Sequence, residues 1–74
     1  MPFMITLEAA RVNAKLTQQG LADMLKLHRT TIHNWETGKS SPDVVQLRRI
    51  SEITRVPIDY IFLPDSLPKV NPTQ

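Results

Sequence analysis

Between Arg29 and Lys39 the chain carries a guanidinium (Arg29), hydroxyls (Thr30, Thr31, Thr37), an imidazole (His33), an amide (Asn34) and an ammonium group (Lys39). If this stretch is helical, each residue turns about 100° from the last, and Ile32 and Trp35 fall about 60° apart on one side. Thr30, His33, Asn34 and Thr37 then face broadly the other way, and Arg29 at the helix start can swing toward the same surface. That outward face holds no carboxylate. Surface helices usually mix acids and bases, so a face without acids suits an electronegative groove lined with hydrogen-bond acceptors. The competing reading is an ordinary solvated polar face, and the face alone does not choose between the two.

Catalysis fits the same residues poorly. The chain has no cysteine, which removes thiol nucleophiles, disulfides and cysteine-based zinc sites. His28 and His33 stand five positions apart, about 140° around a helix, so they do not converge on a substrate or a metal. A nucleophile with its base, a carboxylate pair and a metal set are all lacking. The sequence therefore predicts a protein that is not an enzyme and holds neither cofactor nor metal.

Charge concentrates where the polar face lies. Residues 26–49 hold Lys26, Arg29, Lys39, Arg48 and Arg49 against Glu36 and Asp43, a balance of +3, whereas residues 1–25 balance to zero and residues 50–74 to −1. The middle third is where a polyanion would be drawn. Seventy-four residues make one domain with 41% hydrophobic content, and without disulfides its stability must come from apolar packing. No apolar run approaches the roughly 18 residues of a membrane-spanning helix. The opening Met1-Pro2-Phe3-Met4-Ile5 has neither a charged leader region nor a cleavage site. A cytoplasmic protein without membrane contact is expected.

The elements that must position the polar face follow from caps and periodicity. Thr6 is placed to cap a first helix over about 7–14, with Leu7, Ala10 and Ala14 on one side. After a turn at Lys15-Leu16, Thr17 caps a second helix over about 18–26, with Leu21, Ala22 and Leu25 inward and Gly20 weakening it slightly. A short link, Leu27-His28, leads to a third helix over Arg29–Thr37. Leu27 and Ile32 have the spacing of a hydrophobic staple, and Gly38 stands where a left-handed cap wants glycine. Ser41 and Pro42 open a fourth helix with Leu47, Ile50 and Ile53 on its apolar side. Pro57 opens a short fifth helix through Ile58, Asp59, Tyr60, Ile61 and Phe62. Residues 64–74, with prolines among small polar residues, read as a disordered tail behind a domain of residues 1–63.

From Leu16-Thr17-Gln18 onward the chain resembles the Cro/C1-type helix-turn-helix family, the lambda-repressor-like regulators. The resemblance rests on Thr17-Gln18, Leu21-Ala22, Leu25, Thr31-Ile32, Trp35-Glu36, Gly38-Lys39 and Pro42, and continues through Leu47, Ile50, Val56 and Ile58-Asp59. It spans about residues 5–63. Thr-Gln-x-x-Leu-Ala followed at this spacing by Thr-Ile-x-x-Trp-Glu-x-Gly-Lys is far more specific than a lone short motif. It implies an all-α, five-helix domain with a helix-turn-helix at helices 2 and 3. It also implies a partly buried ion pair between Arg11 and Glu36. Lys26 and Arg55 stand where the family commonly has glycine, His28 replaces the usual hydroxyl cap, and Thr54 and Arg48 replace apolar residues.

Carried over position by position, the resemblance makes Gln18 a phosphate ligand at the start of helix 2. It makes Arg29, Thr30 and Asn34 base readers with His33 beside them, and Thr31, Thr37 and Lys39 phosphate contacts. The implied partner is double-stranded DNA at a two-fold operator. A homodimer forms at least on DNA, with Tyr60, Ile61 and Phe62 as candidates for its contact. The function implied is transcriptional regulation, of the repressor type found in prophages and mobile elements. The alternative is an antitoxin or another interaction module whose main partner is a protein.

Overall fold

The computed structural model describes residues 4–63. Strand β1 (Ile5–Thr6) leads directly into helix α1 (Leu7–Asn13), followed by α2 (Gln18–Leu25), α3 (Arg29–Thr37) and α4 (Val44–Thr54). A single 3-10 turn over Ile58–Tyr60 precedes strand β2 (Ile61–Phe62). The expectation for residues 64–74 falls outside the described residues.

Local chemistry sets most of the boundaries. The Thr6 hydroxyl accepts the Ala9 amide at 3.0 Å, and the Thr17 hydroxyl accepts the Gly20 amide at 2.9 Å. Each satisfies a first-turn N–H that has no partner within the helix. A Cβ added at Gly20 would stand 3.2 Å from that Thr17 oxygen, so the glycine leaves room for the cap. Gly38 ends α3 in the left-handed region at φ 86°. Lys15, Lys26 and Arg55 also take positive φ, at 65°, 60° and 65°, without being glycine. Their Cβ atoms make that conformation costly, and helix termination holds them in it.

The core joins all the helices. Leu7, Leu21, Ala22, Leu25, Ile32, Trp35, Ile50, Ile61 and Leu63 are buried together, with Leu16, Leu27, Leu47, Ile53 and Val56 packed against them. Ala22 is wholly buried, and α2 and α3 share the most extensive helix–helix contact. A larger side chain at Ala22 would push the two helices apart.

The structure corrects two expectations. Helix α4 is capped by Asp43 rather than Ser41, and Pro42 lies before it, buried, instead of forming its first residue. The Asp43 carboxylate accepts the Gln46 amide at 2.8 Å, an N-cap bond made where the helix begins. The fifth helix is the second correction. Only Ile58–Tyr60 turn, as one 3-10 turn, and Ile61–Phe62 are extended. They pair in parallel with β1, Ile5 beside Ile61 and Thr6 beside Phe62. Strand pairing satisfies backbone groups that a further helical turn would have used.

Thr54, at a position the family fills with an apolar residue, is buried, and its hydroxyl donates to the Ile50 carbonyl at 2.8 Å. The polar substitution is accommodated within its own helix.

Candidate nucleic-acid interface

Helix α3 is fixed from behind by two kinds of bond. Ile32 has no exposed surface and Trp35 is 6% exposed, so its apolar side is committed to the core. At its last turn Glu36 meets Arg11 of α1, with Nε to Oε2 at 2.6 Å and Nη2 to Oε1 at 3.3 Å. The side chains are only 4% and 10% exposed respectively, so the pair is substantially desolvated. Arg11 also donates Nη1 to the Leu16 carbonyl at 2.8 Å, which ties the α1–α2 turn to the same guanidinium. The expected ion pair is present, and it fixes the end of α3 against two other segments.

On the outward side Arg29, Thr30, His33 and Thr37 are exposed, Thr31 and Asn34 are half-buried, and Lys39 is exposed in the loop after Gly38. One surface thus gathers the positions picked out in the sequence. Glu36, the only carboxylate in α3, is turned inward to Arg11.

Hydrogen bonding qualifies two of these residues. Thr37 Oγ1 donates back to the His33 carbonyl at 3.0 Å, with the Asn34 carbonyl at 3.3 Å, so its proton is engaged by its own helix. Gln18 is half-buried and bridges two neighbours. Its Nε2 donates to Glu36 Oε1 at 2.9 Å, and its Oε1 accepts from Arg29 Nη1 at 3.0 Å. The sequence offered no signal for this bridge, because the partners lie on different helices and only the packing of α2 on α3 brings them together. His28 precedes α3 with extended backbone and makes no side-chain cap, in keeping with its replacement of a hydroxyl residue.

Among the described residues no helix is long and apolar enough to cross a membrane.

Comparison with known proteins agrees with this arrangement. The helix-turn-helix family profile matches residues 7–61. The HTH-type transcriptional activator BcrR of Enterococcus faecalis is 37% identical over 67 residues, covering 90% of this chain and 33% of BcrR. The uncharacterized HTH-type transcriptional regulator YqaE of Bacillus subtilis is 38% identical over 68 residues, covering 92% of this chain and 59% of YqaE. The chain thus spans a third and about three-fifths of these relatives' own lengths. No solved structure matches it. The mostly helical fold, the profile match and the relatives agree, and the chain belongs to the Cro/C1-type helix-turn-helix family of DNA-binding transcriptional regulators.

Proposed function

We propose that this protein is a sequence-specific regulator that reads the major groove of double-stranded DNA with α3, with α2 and α3 as its helix-turn-helix unit. The observation that carries this reading is the outward face of α3, rich in donors and cleared of carboxylate because its one acid is paired with Arg11. In this reading Arg29, Thr30 and Asn34 meet base edges, with His33 alongside. Arg29 has the fork for guanine O6 and N7, Asn34 the amide for adenine N6 and N7, and Thr30 a methyl for thymine. Gln18, Thr31, Thr37 and Lys39 border the groove and hold phosphates. Gln18 keeps a second amide N–H for this beyond the one given to Glu36. Thr37 donates to a phosphate only by giving up its bond to the helix backbone.

The protein acts as a homodimer on a two-fold operator, with half-sites roughly 10 base pairs apart. Ile61 is 5% exposed and belongs to the core, which leaves Tyr60 and Phe62 as the residues of that segment for the contact between copies. Repression, of the kind used by phages and mobile elements, follows if the operator overlaps a promoter, since occupancy alone then blocks transcription. The relative named as an activator supplies the contrary reading, and a promoter fusion with and without the protein decides between them. The functional domain is residues 1–63, and its role is binding rather than catalysis.

The test separates readers from holders. A base contact discriminates between sequences, while a phosphate contact attracts every sequence alike. Arg29→Ala is expected to lose roughly 1–3 kcal/mol on the selected operator and little on scrambled DNA. Lys39→Ala weakens both duplexes similarly and shrinks the slope of log affinity against log salt by about one per bound copy. Titrations on both duplexes at several salt concentrations measure this. Equal weakening by Arg29→Ala on both duplexes would make Arg29 a phosphate clamp and put the reading face elsewhere.

A further inference from the structure

The bridge through Gln18 links a buried charge to an exposed one. Arg11, Glu36, Gln18 and Arg29 form one continuous chain of hydrogen bonds, from the guanidinium under α1 to the first residue of α3. Its polarity is dictated by chemistry. A carboxylate only accepts, so the Gln18 amide must turn its nitrogen toward Glu36. The amide oxygen is then left facing Arg29, and a guanidinium only donates. Each partner thus admits one orientation of the amide, and both admit the same one. Glu36 is itself immobilised by Arg11, with its side chain 4% exposed, so the chain is anchored at its buried end.

An exposed arginine ordinarily samples many rotamers and loses that freedom on meeting a base. Holding one N–H on Gln18 restricts the guanidinium beforehand and leaves its remaining N–H groups for another acceptor. A network whose members polarise one another also holds better than its outermost bond would alone.

We propose that Gln18 is a positioning residue for Arg29. Glu36 fixes the orientation of the Gln18 amide, so the buried ion pair contributes to sequence discrimination as well as to stability. This rests on the DNA-reading function proposed above. It adds to Gln18 a role that phosphate binding does not include, and the two roles have different signatures. A lost phosphate contact weakens all duplexes in proportion, so it cancels from the ratio of affinities. A lost positioning contact lowers the ratio itself.

The test compares wild type, Gln18→Met, Arg29→Ala and the double variant, all as full chains. The probes are a duplex selected by the wild type from a random pool and the same duplex with its Arg29-dependent base pair exchanged. Gln18→Met keeps the unbranched shape and removes both hydrogen bonds. It is expected to lower discrimination between the two duplexes about five-fold, the weight of one hydrogen bond, while melting stays close to that of the wild type. In the Arg29→Ala background the same change is expected to leave discrimination untouched. Nitrogen relaxation of the arginine side chains in the DNA-free protein supplies a second readout, with Arg29 Nε ordered in the wild type and mobile in Gln18→Met.

Unchanged discrimination and an equally ordered Arg29 in Gln18→Met would overturn the positioning role. So would equal weakening on both duplexes, which reduces Gln18 to a phosphate ligand. In either case the wild type and Arg29→Ala still differ in discrimination, and the DNA reading stands. If the wild type selects no duplex from the pool, that reading falls and takes this one with it.

Discussion

Helices α3 and α4 both end in a left-handed residue and both contribute to the same core, yet they are held in different ways. Helix α3 has Ile32 and Trp35 buried, an ion pair to α1 and an amide bridge to α2. Most polar bonds of α4 stay near home. Asp43 caps Gln46, Thr54 bonds Ile50 and Ser51 bonds the Val56 carbonyl, and the reach of Arg49 to the Met24 carbonyl is long at 3.4 Å. A helix fixed by several distant partners has one orientation, and whatever face it presents is rigid. A helix satisfied mainly by its own neighbours supplies core area and tolerates change.

If that contrast is right, the largest effect lies at Trp35. Trp35→Ala is expected to cost roughly 3–5 kcal/mol. Small domains have about 5–15 kcal/mol in all, so the variant should melt far earlier or be largely unfolded. An unchanged melting curve would show that α3 does not depend on its buried face.

Next comes the ion pair. Glu36→Ala leaves the Arg11 charge partly buried without its partner and is expected to cost about 3 kcal/mol. Replacing both residues by apolar ones should cost less than Glu36→Ala alone, because a lone buried charge is the costly state. A double-mutant cycle read by urea unfolding measures the coupling, and additive effects would contradict it.

On α4 the corresponding polar change should be mild. Thr54→Val removes a hydroxyl whose strongest bond goes to a carbonyl of its own helix, and is expected to shift stability by under about 1 kcal/mol. A loss as large as that at Glu36 would erase the distinction between the two helices.

The smallest effect is the one the helices share out equally. Lys26→Gly and Arg55→Gly each relieve a side chain at positive φ but add freedom to the unfolded chain, for a net gain of roughly 0.5 kcal/mol apiece. Thermal melting resolves this, and a loss at Lys26 alone would mean that its ammonium has a structural partner.

The sequence showed most clearly what neighbouring residues decide. Thr6 and Thr17 caps, the span of α3 and the Gly38 terminus depend on hydroxyls, periodicity and one glycine within a few positions of each other, and all are found in the structure. The Arg11–Glu36 pair came from the family pattern. What escaped depends on distant partners. Ile61 and Phe62 look helical behind Pro57 because nothing nearby shows that Ile5 and Thr6 will lie alongside them. Gln18 looks like a simple surface donor until α3 brings Glu36 and Arg29 to its two ends. The α4 cap was a choice between adjacent candidates, and the carboxylate of Asp43 prevailed over the hydroxyl of Ser41.

That ladder between Ile5–Thr6 and Ile61–Phe62 also bears on how the chain assembles. Its partners stand near opposite ends of the described residues, so closing it carries the greatest loop entropy of any contact in the fold. During synthesis it must wait until Phe62 has left the ribosome, whereas α1, α2 and α3 can already dock on one another. The ladder should therefore form late, and its amide protons should be among the early ones to exchange with solvent in the native state. Being only two residues wide on each strand, it acts as a clasp fastened after the helices are in place.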